Sequence, residues 1–401
     1  MDLLDRAHRI ASDLVELRRD IHRHPELSFQ EVRTAGIAAE ETASAGYEVR
    51  EGVARTGVIA EIGDGDGPTV ALRADMDALP IQEKTGLPFA SEVDGVMHAC
   101  GHDAHTAGLI GAARILSSLH DEGKLPAGRI RLLFQPSEET SDDEGKSGAE
   151  RMVEEGAMDD VDAVIGLHVG AHLPAGRVFL REGPFWGGSD ELVVEVRGKG
   201  SHAARPEEGV DALALAALGV VAAQQVVSRM TGPSEAAVLS FGTIHGGTAP
   251  NVICDRVTLG GSLRYFDHGV RQRIHEGLRR SFSIADVMGG ESEIGFRGGY
   301  PPVVNDPDVT RWIEESVHRI LGEGHYVDAE PGLLAEDFAY LAQAAPGAFF
   351  WLGAALPDAR EHHSSMFDID ETVLPLASAL LAGSAVHILD RLSERDRETS
   401  S

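Results

Sequence analysis

Cysteine is nearly absent from this chain of 401 residues: only Cys100 and Cys254 occur. Two thiols make no disulfide framework. Lysine is almost as scarce. Lys84, Lys124, Lys146 and Lys199 are the only four among 35 basic residues, so the remainder is arginine. Positive charge is short overall, and the formal net charge is −30. A field of that sign repels nucleic acid and anionic membranes, so neither is an expected partner. A GC-rich genome would explain the arginine bias without functional meaning. Adaptation to a salty cytoplasm also explains the acidic excess, because dense carboxylates hold water and salt screens their repulsion. No apolar run reads as long enough to span a bilayer. The N-terminus lacks a basic head followed by an apolar core, so it does not read as a secretory leader. It looks instead like the start of an amphipathic helix running toward His22. The expected compartment is the cytoplasm, where thiols stay reduced.

What is present is ordinary globular material, 42% hydrophobic and long enough for two domains. Short apolar runs at 53–62, 69–74, 129–135 and 163–169 read as strands, with a Gly-Asp turn at 63–67. Residues 105–119 and 147–155 read as helices. This alternation predicts an α/β domain with a mainly parallel sheet covered on both faces. The pattern changes near Gly183. A strand at 192–196, a helix at 209–230, strands at 236–243 and 252–263, a helix at 270–284 and a strand at 292–296 form a compact α+β unit consistent with a ferredoxin-like sandwich. Helix–strand alternation then resumes, with helices at 309–321, near Glu336 and at 371–392, a strand at 348–352 and a charged tail at 393–401. The expected organisation is a first domain of residues 1–183 and 298–401, with residues 184–297 inserted into it.

The chemistry concentrates at 97–105, where His98, Cys100, His102 and His105 fall within nine residues. A Cys and a His two apart, with Gly between them, can turn toward one divalent cation. The stretch alone also admits a buried thiol beside solvent-facing histidines. Further candidates sit where open α/β sheets place their sites, beyond strand carboxyl ends. Asp75 and Asp77 follow one strand, Glu138 and Glu139 a second, His168 closes a third, and His362 and His363 follow a fourth. Glu138 and Glu139 come just after Pro136, where irregular backbone lets both reach one cleft. One can bind metal while its neighbour moves a proton. A solvated acidic loop is the alternative.

Several blocks together resemble the M20 metallopeptidase and aminoacylase superfamily, in particular the amidohydrolase branch. They are residues 18–28, 73–80, His98-Ala99-Cys100-Gly101-His102-Asp103, Phe134-Gln135-Pro136-Ser137-Glu138-Glu139, 166–168, 198–206, 246–253, 336–338 and His363-Ser364. The resemblance implies two divalent metal ions, with Cys100 bridging and His102, Glu139, His168 and His363 as the other ligands. Manganese, zinc, cobalt and nickel all remain open. It implies Glu138 as general base. It implies His202 as a donor toward the tetrahedral intermediate, often from a partner subunit, against the alternative of a loop histidine. Asn251 and Arg264 match a clamp for the substrate's carboxylate, with a structural network as the alternative for Asn251. Asp75 is expected behind a ligand histidine, or as a helix cap. His98, His105, His172, His245 and His362 are expected as bystanders or supports.

The sequence departs from the pattern in three places. Ser365 stands where Pro is usual after His-Ser, which would loosen the loop presenting His363. Cys254 stands where Pro is usual. Phe185-Trp186-Gly187-Gly188 is unusually aromatic and could reshape a hinge or an acyl pocket. The reaction implied is metal-dependent hydrolysis of N-acyl amino acids by a homodimer or higher homo-oligomer formed through the inserted domain. A dipeptidase or carboxypeptidase on the same centre is the alternative enzyme, and a non-catalytic metal-binding protein the alternative of another class. The acidic surface makes its own prediction: melting temperature should rise with KCl up to molar concentrations. Equal stability at low and multimolar salt would contradict the salt-adapted reading.

Overall fold

The strand Thr69–Asp75 is buried at every position, as expected for a strand covered on both faces. It lies inside an eight-stranded sheet in a computed structural model that describes residues 3–63, 67–358 and 360–399. Thr69–Asp75 pairs in parallel with Arg129–Gln135 on one side and Ala163–Pro174 on the other, and Gly347–Ala355 extends the parallel set. Glu48–Val53 and Gly57–Gly63 form an antiparallel hairpin at one edge. The sequence reading merged this hairpin into one strand at 53–62. Most of the Gly-Asp turn at 63–67 lies outside the described residues. At the other edge the three-residue strands Val178–Leu180 and Tyr326–Asp328 pair in parallel, too short to show alternation in the sequence.

Helices cover this sheet. His102–Asp121 is almost wholly buried, and it packs on Leu374–Thr399. The approach is close because Gly111 has no side chain: a Cβ there would meet Ser378 Oγ at 2.1 Å. The last helix continues to Thr399, past the point at 393 where a frayed tail was expected. Pro307–Leu321 shows its boundaries in sequence, with Asp306 capping the first turn and Gly322 at φ 86° ending it. The N-terminal segment is two helices, Leu3–Arg9 and Ala11–Arg23, not one. The helix expected near Glu336 is Phe338–Ala344.

Contacts divide the described chain into two units. The first holds residues up to Phe185, Val304–Glu330 and Asp337 onward; the second holds Trp186–Val303 and Pro331–Glu336. The last segment had been expected in the first domain. It joins the second because Gly187 N–H donates to the Gly332 carbonyl at 2.9 Å and Trp186 bridges Gly332.

The second unit is a four-stranded antiparallel sheet in the order Glu291–Gly298, Gly188–Arg197, Arg256–Tyr265, Ala237–Gly246. Its helices are Ala212–Met230, capped by Asp211, and His268–Phe282, capped by Asp267. Strand, helix, two strands, helix, strand with this spatial order is the split βαβ arrangement of ferredoxin-like folds. Leu192, Val194 and Val196 alternate into its core.

Two helices, Ala212–Met230 and Glu371–Arg395, are long and apolar enough to cross a membrane, contrary to the sequence reading. Gln224, Gln225, Ser228 and Arg229 break the first as an apolar run, and Ser378, Ser384 and His387 break the second. The second is mostly buried and serves as a core helix of the first unit.

Arg18, on the helix Ala11–Arg23, is fully buried. Its guanidinium meets Asp103 at 2.8 Å, Glu371 at 3.1 Å and Asp368 at 3.2 Å. His22 Nδ1 lies 2.8 Å from the same Asp103. Burial would raise the Asp103 carboxyl, but Arg18 and His22 outweigh it and hold it far below the usual range. Arg18→Met leaves that carboxylate buried without its cation and should cost about 3–5 kcal/mol in urea unfolding. A loss under about 1 kcal/mol would mean that the ion set holds nothing together.

Candidate metal centre

Four segments of the first unit converge at one end of its parallel strands. Gly101 begins the helix His102–Asp121 in the left-handed region at φ 94°, and a Cβ there would meet Val169 Cγ2 at 2.4 Å. This glycine turn lets Cys100 and His102 face the same point. Glu138 and Glu139 follow Pro136 and Ser137, and Ser137 turns the corner at φ 46°. His168 projects from the strand Ala163–Pro174. His363 stands at φ 58° on a loop tied down by its own N–H, which donates to the Ala99 carbonyl at 2.8 Å.

The donor atoms cluster in overlapping sets. Those of Cys100, His102 and His168 lie within 4.8 Å of one another, as do those of Cys100, Glu139 and His363 and those of His102, Glu138 and Glu139. Cys100 Sγ is 3.4 Å from His168 Nε2, and His363 Nε2 is 3.1 Å from Glu139 Oε1. All five proposed ligands and the proposed base are therefore brought together, with Cys100 shared between two sets.

The tautomers fit a cation. His168 Nδ1 donates to the Val169 carbonyl at 2.9 Å, and His102 Nδ1 donates to the Asp77 carbonyl at 2.8 Å. Each ring thus has its Nδ1 engaged and turns Nε2 inward, the nitrogen a cation would take. His102 Nε2 is buried and makes no hydrogen bond. A buried imidazole nitrogen without a partner is costly unless something binds it. Burial, then the neighbouring imidazoles of His105 and His362, holds His168 well below its usual range. Burial would lower His102 too, but Asp75, Asp77 and Glu139 raise it to about 10. Burial, then Glu139, Glu138 and Asp75, pushes the Cys100 thiol well up. An imidazole drawn to protons and a thiol unwilling to lose one are the signs of negative charge awaiting a cation.

The carboxylate at His102 Nδ1 is Asp77; Asp75, expected behind a ligand histidine, lies 3.7 Å from His102 Nε2 and makes its hydrogen bonds elsewhere. Asp77 Oδ1 lies 3.2 Å from His102 Nδ1. The same carboxylate accepts the N–H groups of Glu138 and Glu139, both at 3.1 Å, and the Ser28 hydroxyl at 2.6 Å. Asp75 instead pairs with Arg73 at 2.7 Å and with His105 Nδ1 at 2.6 Å. His105 passes the link on, its Nε2 accepting the Val169 N–H at 2.9 Å. Asp75 thus braces the strand end that carries His168.

The second unit holds His202, Asn251 and Arg264. His202 is exposed, and its Nδ1 accepts the Ala204 N–H at 3.0 Å, so Nε2 carries the proton. The Asn251 carbonyl accepts the Ala203 N–H at 3.0 Å, binding the two loops. Arg264 is half-buried, and burial alone lowers its guanidinium. Among the described residues no carboxylate reaches it.

The departures from the family pattern are absorbed structurally. The Ser365 carbonyl accepts the Lys84 N–H at 2.8 Å. Cys254 is packed, its thiol donating to the Arg256 carbonyl at 3.0 Å. Phe185 and Trp186 are buried, so neither presents a free aromatic face.

Comparison with known proteins agrees with this geometry. The sequence profile of peptidase family M20/M25/M40 matches residues 71–386. The chain belongs to this family. It is an M20-type, metal-dependent amidohydrolase. It is 40% identical over 390 residues to the N-acetyl-L-cysteine deacetylase of Bacillus subtilis, covering 96% of this chain and 90% of that protein. It is 41% identical over 397 residues to thermostable carboxypeptidase 1 of Saccharolobus solfataricus, covering 95% and 98%. Its fold superposes on the crystal structure of the Bacillus subtilis YxeP protein, a dinuclear metal-binding peptidase of family M20, with a TM-score of 0.83. That match is at 37% identity and covers 96% of this chain and 99% of the other.

The Asp77 contacts generate a prediction. Asp77→Asn puts an amide where the acceptors of three N–H groups stood, and should weaken Mn²⁺ binding about 10- to 100-fold by calorimetry. Unchanged affinity would contradict the role given to Asp77.

Proposed function

We propose that this M20 amidohydrolase cleaves the amide bond of N-acyl amino acids, releasing a carboxylate and the free amino acid. The observation that carries this reading is Glu138, buried beside a full set of ligand donors. In this reading Cys100, His102, Glu139, His168 and His363 hold two divalent cations. When bound, such cations polarise the scissile carbonyl and acidify the attacking water. Glu138 accepts the proton from that water and returns it to the leaving nitrogen. The burial of Glu138 keeps bulk water from competing for that proton.

His202, with its proton on Nε2, is the proposed donor to the developing oxyanion. Arg264 and Asn251 are the proposed clamp for the substrate's carboxylate. A half-buried guanidinium with no acidic partner among the described residues suits an anionic ligand, and its planar fork suits a carboxylate. The similarity to a carboxypeptidase supports a second reading, peptide-bond cleavage on the same centre.

A two-fold dimer through the second unit fits its surface. The helix Ala212–Met230 exposes Leu213, Leu218 and Val221, and the edge strand Ala237–Gly246 exposes Val238 and Ile244.

Release of free amine from a panel of N-acetyl and N-benzoyl amino acids, set against dipeptides, tests the substrate class. Faster turnover of dipeptides would favour the second reading. Glu138→Ala should keep its metal and lose about 10²- to 10⁴-fold in kcat; full activity would refute the assigned base. Arg264→Ala should raise KM for acyl amino acids much more than for their carboxamides, and equal effects on both would end the clamp.

A further inference from the structure

Three consecutive backbone amides at the Glu138–Glu139 corner are held by carboxylates from elsewhere in the chain. Asp77 takes those of Glu138 and Glu139. The third, Ser137 N–H, donates to Glu31 Oε1 at 2.9 Å. Ser137 is the residue in the left-handed region. A non-glycine residue keeps that conformation only where its surroundings fix it.

Glu31 is fully buried and immediately precedes the helix Val32–Ser44. An acid at that position ordinarily caps the helix. Here the side chain makes no capping bond. Its Oε1 accepts the amides of Ser137 and Phe29, each at 2.9 Å, and its Oε2 accepts the Thr56 hydroxyl at 2.5 Å. The carboxylate is turned away from its own helix and onto the corner that precedes the proposed base.

We propose that Glu31 is a positioning residue that fixes the Ser137 backbone and, through it, the directions of Glu138 and Glu139. The proposal rests on the roles given to those two residues above. Among the described residues Glu31 belongs to none of the clustered donor sets.

The chemistry required of Glu31 is specific. Oε1 must accept two amides, whereas the group facing Thr56 can be an acceptor or a donor, because a hydroxyl serves as either. Burial, then the nearby Asp77, raises the Glu31 carboxyl to about 7, so a neutral group is tolerated there. Glutamine meets these needs: its carbonyl takes the amides and its amide group faces the Thr56 oxygen. Methionine matches the length and leaves both amides without an acceptor.

The test compares Glu31→Met and Glu31→Gln with the wild type in two readouts, Mn²⁺ affinity by calorimetry and steady-state kinetics at saturating Mn²⁺. Glu31→Met should weaken Mn²⁺ binding and lower kcat, each by about 10- to 100-fold, because misdirected support costs a metal site that much. KM should move by less than about threefold, since the substrate clamp is untouched. Glu31→Gln should recover most of both losses. Should Glu31→Met fail to fold, Thr56→Val removes one support of the carboxylate and should show a smaller loss in the same two readouts. Wild-type behaviour of Glu31→Met, or of Thr56→Val in its place, overturns the proposal. So does a Glu31→Gln protein as impaired as Glu31→Met. A wild type that binds Mn²⁺ but hydrolyses no acyl amino acid sinks the functional reading instead, and the calorimetry alone then decides whether Glu31 positions the corner.

Discussion

The buried carboxylate of Asp77 is the constraint on which the metal centre depends. It receives the ring of His102, the amides of Glu138 and Glu139 and the hydroxyl of Ser28. One side chain thereby sets the orientation of one ligand histidine and of the loop carrying a second ligand and the base. A charged acceptor this well satisfied is worth its burial, because each donor offsets part of the lost hydration. It also orders the centre in advance, so binding a cation need not reorganise the loops around it.

Around that anchor the site concentrates negative charge. Asp75, Asp77, Glu138 and Glu139 lie among the imidazoles of His102, His168 and His363 and the thiol of Cys100, and Arg73 offsets part of that charge from within the sheet by pairing with Asp75 and Asp337. The raised thiol of Cys100 and the proton affinity of His102 are two expressions of one imbalance. Divalent charge relieves both: it favours the thiolate and takes the place of a proton on the imidazole. The acidity of the whole chain, a formal net charge of −30, therefore has a local use.

Much of this was legible in the sequence because strand ends and ligand spacing are local signals. Cys100 and His102 are separated by a glycine, and the helix they open is apolar at the right period. Glu138 and Glu139 follow a proline that ends a strand. His363 was legible as a residue beyond a strand end, but its choice over His362 as a ligand came through family resemblance, since it reaches the site from a loop far along the chain whose backbone bonds to Ala99 and Lys84. The exchange of Asp75 for Asp77 shows where local reasoning stops. Both acids follow one strand two residues apart, so alternation gives them the same face. What separates them is the irregular backbone after Asp75, which brings the carbonyl and carboxylate of Asp77 to His102. Glu31 was invisible for a similar reason. It received no role from the sequence, and only the fold reveals that its carboxylate serves Ser137, 106 positions away.

Anomalous scattering from a Mn²⁺-loaded crystal tests the central claim most directly. The account predicts two peaks about 3.5–4 Å apart, with Cys100 Sγ between them and His102, Glu139, His168 and His363 completing the two spheres. A single peak held by Asp75, His102 and His105, the competing buried set, or peaks distant from Cys100, would contradict it.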